Sequence, residues 1–187
     1  FVLMGIITNV AAGVGVTVPE AGGFISAYAI GVCFGTLILV FGHSIAPKRL
    51  LMAFMLLCFV GNAMAALAPS AGMLTVARFI SGMPHGAFFG TATIAARAMA
   101  DKGQEGRAVA VMVLGQTLAN TIGVPFGTLL AGMVSWRAAF VFVAIWALCS
   151  LLLIWRLVPQ IEAVADAGLA GQFRFLGKPG PWIVLGA

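Results

Sequence analysis

Charged residues are scarce in this chain of 187 residues. They make up 8% of the sequence, apolar residues make up 62%, and the mean hydropathy is +1.12. Soluble globular domains carry about 25% charged residues and about half apolar ones. Since a soluble fold of this length cannot bury so large an apolar excess, the composition excludes that class and predicts a surface that faces lipid.

Cysteine is scarce as well. The three cysteines, Cys33, Cys58 and Cys149, all fall within long apolar runs. Their spacing matches neither a disulfide framework nor a metal site. The sequence therefore predicts no metal and no cofactor, and the thiols are interpreted as small buried hydrophobes.

Long apolar runs dominate what is present. A helix needs roughly 20 mostly apolar residues to cross the hydrocarbon core, whereas strands of a membrane barrel alternate apolar and polar residues over about 10. The runs are continuously apolar, which favours helices. Five complete spans are predicted: 21–41, 50–68, 73–100, 108–134 and 138–158. The fold class is an all-α polytopic membrane protein.

Two shorter apolar segments, FVLMGII and PWIVLGA, open and close the chain. We interpret them as parts of two further helices and expect the chain to belong to a longer protein. In this interpretation residues 1–158 form a transmembrane bundle with a truncated first helix. Residues 159–180 form a cytoplasmic linker between two bundles, and residues 181–187 begin a seventh helix.

Basic residues concentrate in alternate linkers. The opposite linkers hold only Glu20 and Arg137. Lys and Arg crowd the cytoplasmic loops of membrane proteins, so the pattern predicts which linkers are cytoplasmic and explains the net charge of +5 without a nucleic-acid partner. Eight basic residues share the predicted cytoplasmic side: Lys48, Arg49, Arg97, Lys102, Arg107, Arg156, Arg174 and Lys178.

Small residues recur every four positions on three of the runs. Such stripes let membrane helices approach closely and pack. Pro84 and Pro125 interrupt two of them, and each predicts a bend because proline removes a helical hydrogen bond. The stripes are Ala27, Gly31 and Gly35; Gly82, Gly86 and Gly90; and Gly115, Ala119, Gly123, Gly127 and Ala131.

Arg78 and His85 are the polar residues that fit a membrane span least. A charge near the bilayer centre costs about 2.5–3.5 kcal/mol on insertion scales. At i and i+7 the two residues lie about 20° apart on an ideal helix, on one face. Two interpretations stay open: Arg78 reaches the interface and His85 is structural, or both border a cavity for substrate or protons.

The next predicted helix adds further polar residues. Gln116 and Asn120, four positions apart, are candidates for a cavity wall in the substrate or proton pathway. We expect the threonines of the same helix to bond back to its own carbonyls instead: Thr117, Thr121 and Thr128.

Two motifs carry a resemblance to a family. The stretch GQTLANTIGVPFG resembles the fifth-helix antiporter motif through Gly115, Gly123, Pro125 and Gly127, and RFISGMPHG resembles the fourth-helix motif through Arg78, Gly82 and Gly86. The chain resembles the N-terminal half of a major facilitator superfamily transporter of the drug/proton antiporter branch, and within it the arabinose- and sugar-efflux permeases.

The loop between the second and third helices departs from the family pattern. In SIAPKRL, Ser44 stands where the family has an acid and Pro47 where it has a glycine, while Lys48 and Arg49 are kept. The charge network that latches this loop in the family is therefore in doubt. Two roles stay open for Lys48 and Arg49: they contribute to gating, or they only set the topology of the helices.

The resemblance implies a multi-pass protein of the bacterial inner membrane. It implies proton-coupled efflux of a small organic solute, such as a sugar, nucleoside or drug, by alternating access with a second helical half. Uptake or facilitated diffusion is the alternative within transport. An intramembrane enzyme would need a nucleophile with a base; Ser81 lies four residues before His85, but no motif supplies an oxyanion site, so no enzyme is predicted.

Overall fold

The computed structural model describes residues 2–42 and 44–161. Most of the predicted linker, the predicted start of a seventh helix, Arg174 and Lys178 lie outside the described residues. In the described part the chain forms seven helices: α1 (Val2–Val14), α2 (Val18–Phe41), α3 (Pro47–Leu67), α4 (Ala71–Gly82), α5 (Pro84–Met99), α6 (Glu105–Met133) and α7 (Trp136–Leu157).

Four of the predicted spans are confirmed with bounds that differ by at most three residues, as α2, α3, α6 and α7. All four are long and apolar enough to cross a membrane. The helices start earlier than predicted because their polar first turns are helical too. At α2 the Thr17 hydroxyl accepts from the Glu20 N–H at 3.4 Å, and the Glu20 carboxylate accepts from the Thr17 N–H at 2.8 Å. This reciprocal cap satisfies two backbone donors.

The predicted span 73–100 is divided into α4 and α5. Pro84 has no N–H to donate to the carbonyl of Ile80, so the regular helical ladder is interrupted there. Met83 between the two helices keeps helical backbone angles, with φ −51° and ψ −44°, and its N–H bonds to the Phe79 carbonyl at 3.3 Å. The division between α4 and α5 is therefore a local interruption of the helical hydrogen bonds, and the backbone stays helical across it.

Glycines allow backbone contact between α2 and α4, as their stripes predict. A Cβ on Gly31 would meet the carbonyl oxygen of Phe79, and one on Gly35 would meet that of Met83. On the other side, a Cβ on Gly82 would meet the carbonyl oxygen of Tyr28. The backbones of α2 and α4 therefore lie in direct contact around these glycines.

The stripe on α6 is only partly covered. Gly127 and Ala131 are buried, and α1 approaches this end of the helix where Gly5 lies against Thr128. At Gly115 and Gly123, an added Cβ would find no heavy atom within 4 Å. The first part of the GQTLANTIGVPFG stretch thus lies on an open face in the described chain.

Helix ends are joined by basic side chains. The Lys48 ammonium donates to the carbonyl of Trp155 at 2.8 Å, and Arg137 donates to the carbonyl of Ala68 at 2.9 Å. Helices α3 and α7 are therefore antiparallel, with Lys48 and Arg156 at one end and Arg137 at the other. This agrees with the charge pattern, while the assignment of the Lys48 end to the cytoplasm stays a prediction.

Two apolar clusters fill the bundle. The larger one joins α1, α2, α3, α4, α6 and α7 near the Arg137 end, with Leu74, Ala65 and Phe140 among its members. A smaller cluster of Leu50, Phe54 and Ala87 packs α3 against α5 near the opposite end. Many large apolar side chains remain exposed around the outside, as in a protein that faces lipid.

Candidate functional site

Arg78 points into the bundle. Its side chain is only 7% exposed, and its Nε has no hydrogen-bond partner among the described residues. The Nη1 group donates a long hydrogen bond of 3.4 Å to the Ser81 hydroxyl. The interpretation in which Arg78 reaches out to the membrane interface does not fit this burial.

Aromatic rings cover the guanidinium. Its central carbon lies 4.4 Å from the centre of the Tyr28 ring on α2 and 5.8 Å from that of Phe140 on α7. The negative face of an aromatic ring attracts a cation within about 6 Å of its centre, more strongly where water is excluded. Tyr28 therefore both positions the guanidinium and offsets part of its desolvation.

Tyr28 also contacts His85. The two rings meet edge to face, with centres 5.9 Å apart, and the His85 ring meets Phe89 in the same way at 5.6 Å. Arg78 and His85 are thus brought to one place, as their spacing predicts. The link between them is an aromatic side chain from a different helix.

Two cavities meet at this cluster. The first, of about 300 Å³, lies between α1, α2 and the α4–α5 helix pair. The second, of about 280 Å³, lies between α3, α5 and α7, and Cys58 and Trp146 are among its lining residues. Tyr28 and His85 line both cavities, and Arg78 lines the first. Each volume is large enough for a small organic molecule.

The Ser81 hydroxyl has a structural partner. It donates to the carbonyl oxygen of its own helix at Arg78, at 3.0 Å, and accepts from the Arg78 guanidinium. A hydroxyl held in this way, beside a cation, is oriented to support the arginine side chain. A backbone contact between Gly61 and Ser81 also explains why a small residue stands here.

The polar residues of α6 lie elsewhere. Gln116 is half-buried and Asn120 is exposed, and neither lines the two cavities of the described chain. Their assignment to the pathway stays a prediction. The threonines of α6 bond back to carbonyls one turn earlier, as predicted, at 3.1, 2.8 and 2.9 Å for Thr117, Thr121 and Thr128.

The loop before α3 holds its basic residues in different ways. Ser44 and Arg49 are exposed, whereas Lys48 is half-buried against the end of α7 through its bond to Trp155. A cation at a helix C-terminus is favourable because the last carbonyls carry partial negative charge. Lys48 thus has a structural partner, while its contribution to topology stays a prediction.

Tyr28 and Asn62 are the polar residues that the sequence reasoning missed. Tyr28 is the single tyrosine of the chain, which is the signal that could have marked it. Asn62 is 5% exposed and donates to the Cys58 carbonyl at 2.8 Å, so it bonds within its own helix. In the described ranges no three metal-ligating side chains come together.

Acidic residues are absent from this neighbourhood in the described chain. The described acids are Glu20, Asp101 and Glu105, and all three are exposed at helix ends. Tyr28 lies eight residues beyond Glu20, about 12 Å further along α2. Within the described residues, the Arg78 guanidinium is therefore contacted by ring faces and one hydroxyl, and by no carboxylate.

The sequence is similar to proteins named as transporters along nearly its whole length. It is 40% identical over 188 residues to AraJ of Escherichia coli (strain K12), a protein named as a transporter, and 34% identical over 177 residues to the inner membrane transport protein YdhP of the same organism. It is 28% identical over 181 residues to a protein of Helicobacter pylori (strain P12) named as a sugar efflux transporter.

These alignments cover 100%, 94% and 96% of the chain, but 48%, 46% and 46% of the relatives. The chain therefore spans about half the length of the relatives it matches. The sequence pattern of the Major Facilitator Superfamily matches residues 1–186. With its apolar helices and these relatives, the chain belongs to the Major Facilitator Superfamily of membrane transporters.

Proposed function

We propose that the full-length protein containing these residues exports a small organic solute, such as a sugar, nucleoside or drug, in exchange for protons. In this proposal the described helices form one of two bundles that rock about a central site, with access alternating between the two sides of the membrane. The relative named for sugar efflux supports the direction of transport.

The observation that carries the proposal is the Tyr28, Arg78 and His85 cluster between two cavities. Polar and ionisable groups inside a membrane bundle are costly and mark substrate or ion pathways. Here they come from α2, α4 and α5, and they meet near the middle of α2 rather than at its ends. This is where a solute crossing the bilayer would be held.

His85 is the proposed proton carrier. Imidazole is the side chain whose ordinary pKa lies nearest physiological pH, and this ring lines both cavities. A proton taken up from one cavity could leave by the other once the neighbouring helices shift. Gln116 and Asn120 on α6 would then line the pathway once the second bundle covers that helix.

The open face of α6 is proposed as the sliding contact with that second bundle. Gly115 and Gly123 present no side chain, and Pro125 lies within the helix between Gly123 and Gly127. A smooth surface of this kind lets another helix approach closely and shift along it.

The test uses inverted membrane vesicles that contain the full-length protein and hold an imposed proton gradient. Addition of a transported sugar, nucleoside or drug is expected to release protons, measured as recovery of a quenched pH-sensitive dye. Arg78→Gln should remove the signal, and Arg137→Gln, an arginine at a helix end, should retain it. His85→Gln should abolish the proton signal while binding of the solute persists.

Other outcomes would contradict parts of the proposal. Solute movement that leaves the dye unchanged would identify a facilitator, since no proton would be exchanged. Accumulation of solute in right-side-out vesicles together with protons would identify an uptake permease. A normal proton signal in both the Arg78 and the His85 variants would remove the cluster from the pathway.

A further inference from the structure

We infer that the cavity beside Arg78 binds the carboxylate of a small organic acid with an apolar body. This inference rests on the proposed function, because it names the solute class of the same site. Its basis is the unmatched charge of Arg78 together with the lining of the first cavity.

The guanidinium is a permanent cation, since arginine does not lose its proton in proteins. A buried cation is stable only when an anion or several acceptors compensate it. The acids of the described chain are exposed at helix ends, and Glu20 already accepts from the Thr17 N–H and hydroxyl, at 2.8 Å each. The described residues therefore supply no counter-charge to Arg78.

The present contacts hold the guanidinium without neutralising it. The Tyr28 ring lies against it, and the Ser81 hydroxyl accepts a single long bond. A cation–π contact of this kind uses none of the N–H donors, and the Nε–H has no partner among the described residues. A carboxylate matches the planar fork of those donors with two parallel hydrogen bonds.

The first cavity has room for such a partner, and its lining indicates the chemical character of the rest of the ligand. Arg78 is among its lining residues, and so are four apolar side chains from α1 and α2: Leu3, Met4, Ile25 and Val32. The volume of about 300 Å³ suits a molecule the size of a substituted benzoate. A carboxylate at the Arg78 end and an apolar body against α1 would satisfy both parts of the lining.

A carboxylate has two possible sources in the full-length protein: a bound solute, or an acidic side chain outside the described residues. The two can be separated with benzoate and benzamide, which have nearly the same shape and differ in charge. A site filled by the protein's own acid would respond to neither probe. A site built for a solute anion would respond to benzoate alone.

The experiment measures the melting temperature of the purified full-length protein in detergent at pH 7.5. Benzoate at millimolar concentration is expected to raise it by several degrees, and benzamide by less than one degree. Arg78→Lys should keep part of the benzoate shift because it keeps the charge, and Arg78→Gln should lose it. Arg137→Gln is the matched control and should keep the full shift.

An equal shift with benzoate and benzamide would overturn the inference, since the cavity would then select shape alone. Absence of a shift with both probes in the unmodified protein would also overturn it, and that result does not depend on any variant folding. If neutral sugars still release protons in the vesicle assay, the proposed function stands while the inference falls. If no solute does so, the proposed function fails independently.

Discussion

The guanidinium carbon of Arg78 lies 4.4 Å from the centre of the Tyr28 ring, so α2 and α4 share one cation–π contact across their interface. The same ring meets His85 edge to face, with centres 5.9 Å apart. One aromatic side chain therefore fixes the positions of both polar residues that the sequence marks as unusual.

Replacement of Tyr28 by Leu is expected to destabilise the bundle. A desolvated cation–π contact contributes about 2 kcal/mol, and leucine fills part of the space without offering a π face. The free energy of unfolding, measured by denaturant titration in mixed micelles, should fall by about this amount. Tyr28→Phe keeps the ring and should stay close to the unmodified protein. Equal losses in both variants would show that the hydroxyl, not the ring face, is the important group.

Gly31→Ala is expected to push α2 and α4 apart, since its methyl group would meet the backbone carbonyl of Phe79. Overpacking of this kind costs about 1–3 kcal/mol, because backbone cannot turn aside as a flexible side chain can. Gly22→Ala on the same helix is the matched control. That position has no heavy atom within 4 Å of a Cβ, so alanine should be neutral or slightly stabilising there. Thermal denaturation of both variants tests the contact, and a neutral Gly31→Ala would contradict it.

Lys48→Met is expected to lower the free energy of unfolding by about 0.3–1 kcal/mol, the range for a cation at a helix C-terminus. The loss would come from the 2.8 Å bond to the Trp155 carbonyl. Arg49→Met removes the same charge from an exposed neighbour and should change stability by less than about 0.5 kcal/mol. Melting temperatures of the two variants give the comparison. Similar melting temperatures for both variants would mean that the bond from Lys48 to Trp155 does not contribute to stability.

Cysteine labelling tests the orientation of the bundle. Gly72 and Lys102 are exposed residues that fall in predicted linkers on opposite sides. In a variant without Cys33, Cys58 and Cys149, a cysteine at position 72 should react with an impermeant maleimide in intact cells. A cysteine at position 102 should react only after the cells are opened. Labelling of both in intact cells would refute the alternating arrangement of the linkers.

The extent of each helix could be predicted from the sequence because hydrophobic length is a local property. The apolar runs located α2, α3, α6 and α7 to within three residues, and the larger errors fall in the polar first turns. Span 73–100 was harder. The apolar pattern continues through Pro84, so composition predicts one helix, and only the missing N–H of that proline accounts for the break.

The site could be predicted only in part, since a single helix shows which of its residues share a face but not what it faces. Arg78 and His85 come from one continuous stretch and do line one cavity. Tyr28 belongs to another helix, and its place between them depends on how α2 packs. The glycine stripes predicted that helices would pack closely along them. The register that places Gly31 against Phe79 is visible only in the structure.

The backbone contacts of Gly31 with Phe79 and Gly35 with Met83 have a mechanical consequence. Two helices that touch through peptide groups have no soft side chains between them to absorb a displacement, because close-packed interiors transmit strain. We therefore expect a displacement of α2 to move α4, the helix that carries Arg78, with it. The hydrogen-bond ladder is interrupted at Pro84, so α5 is coupled less stiffly to this pair.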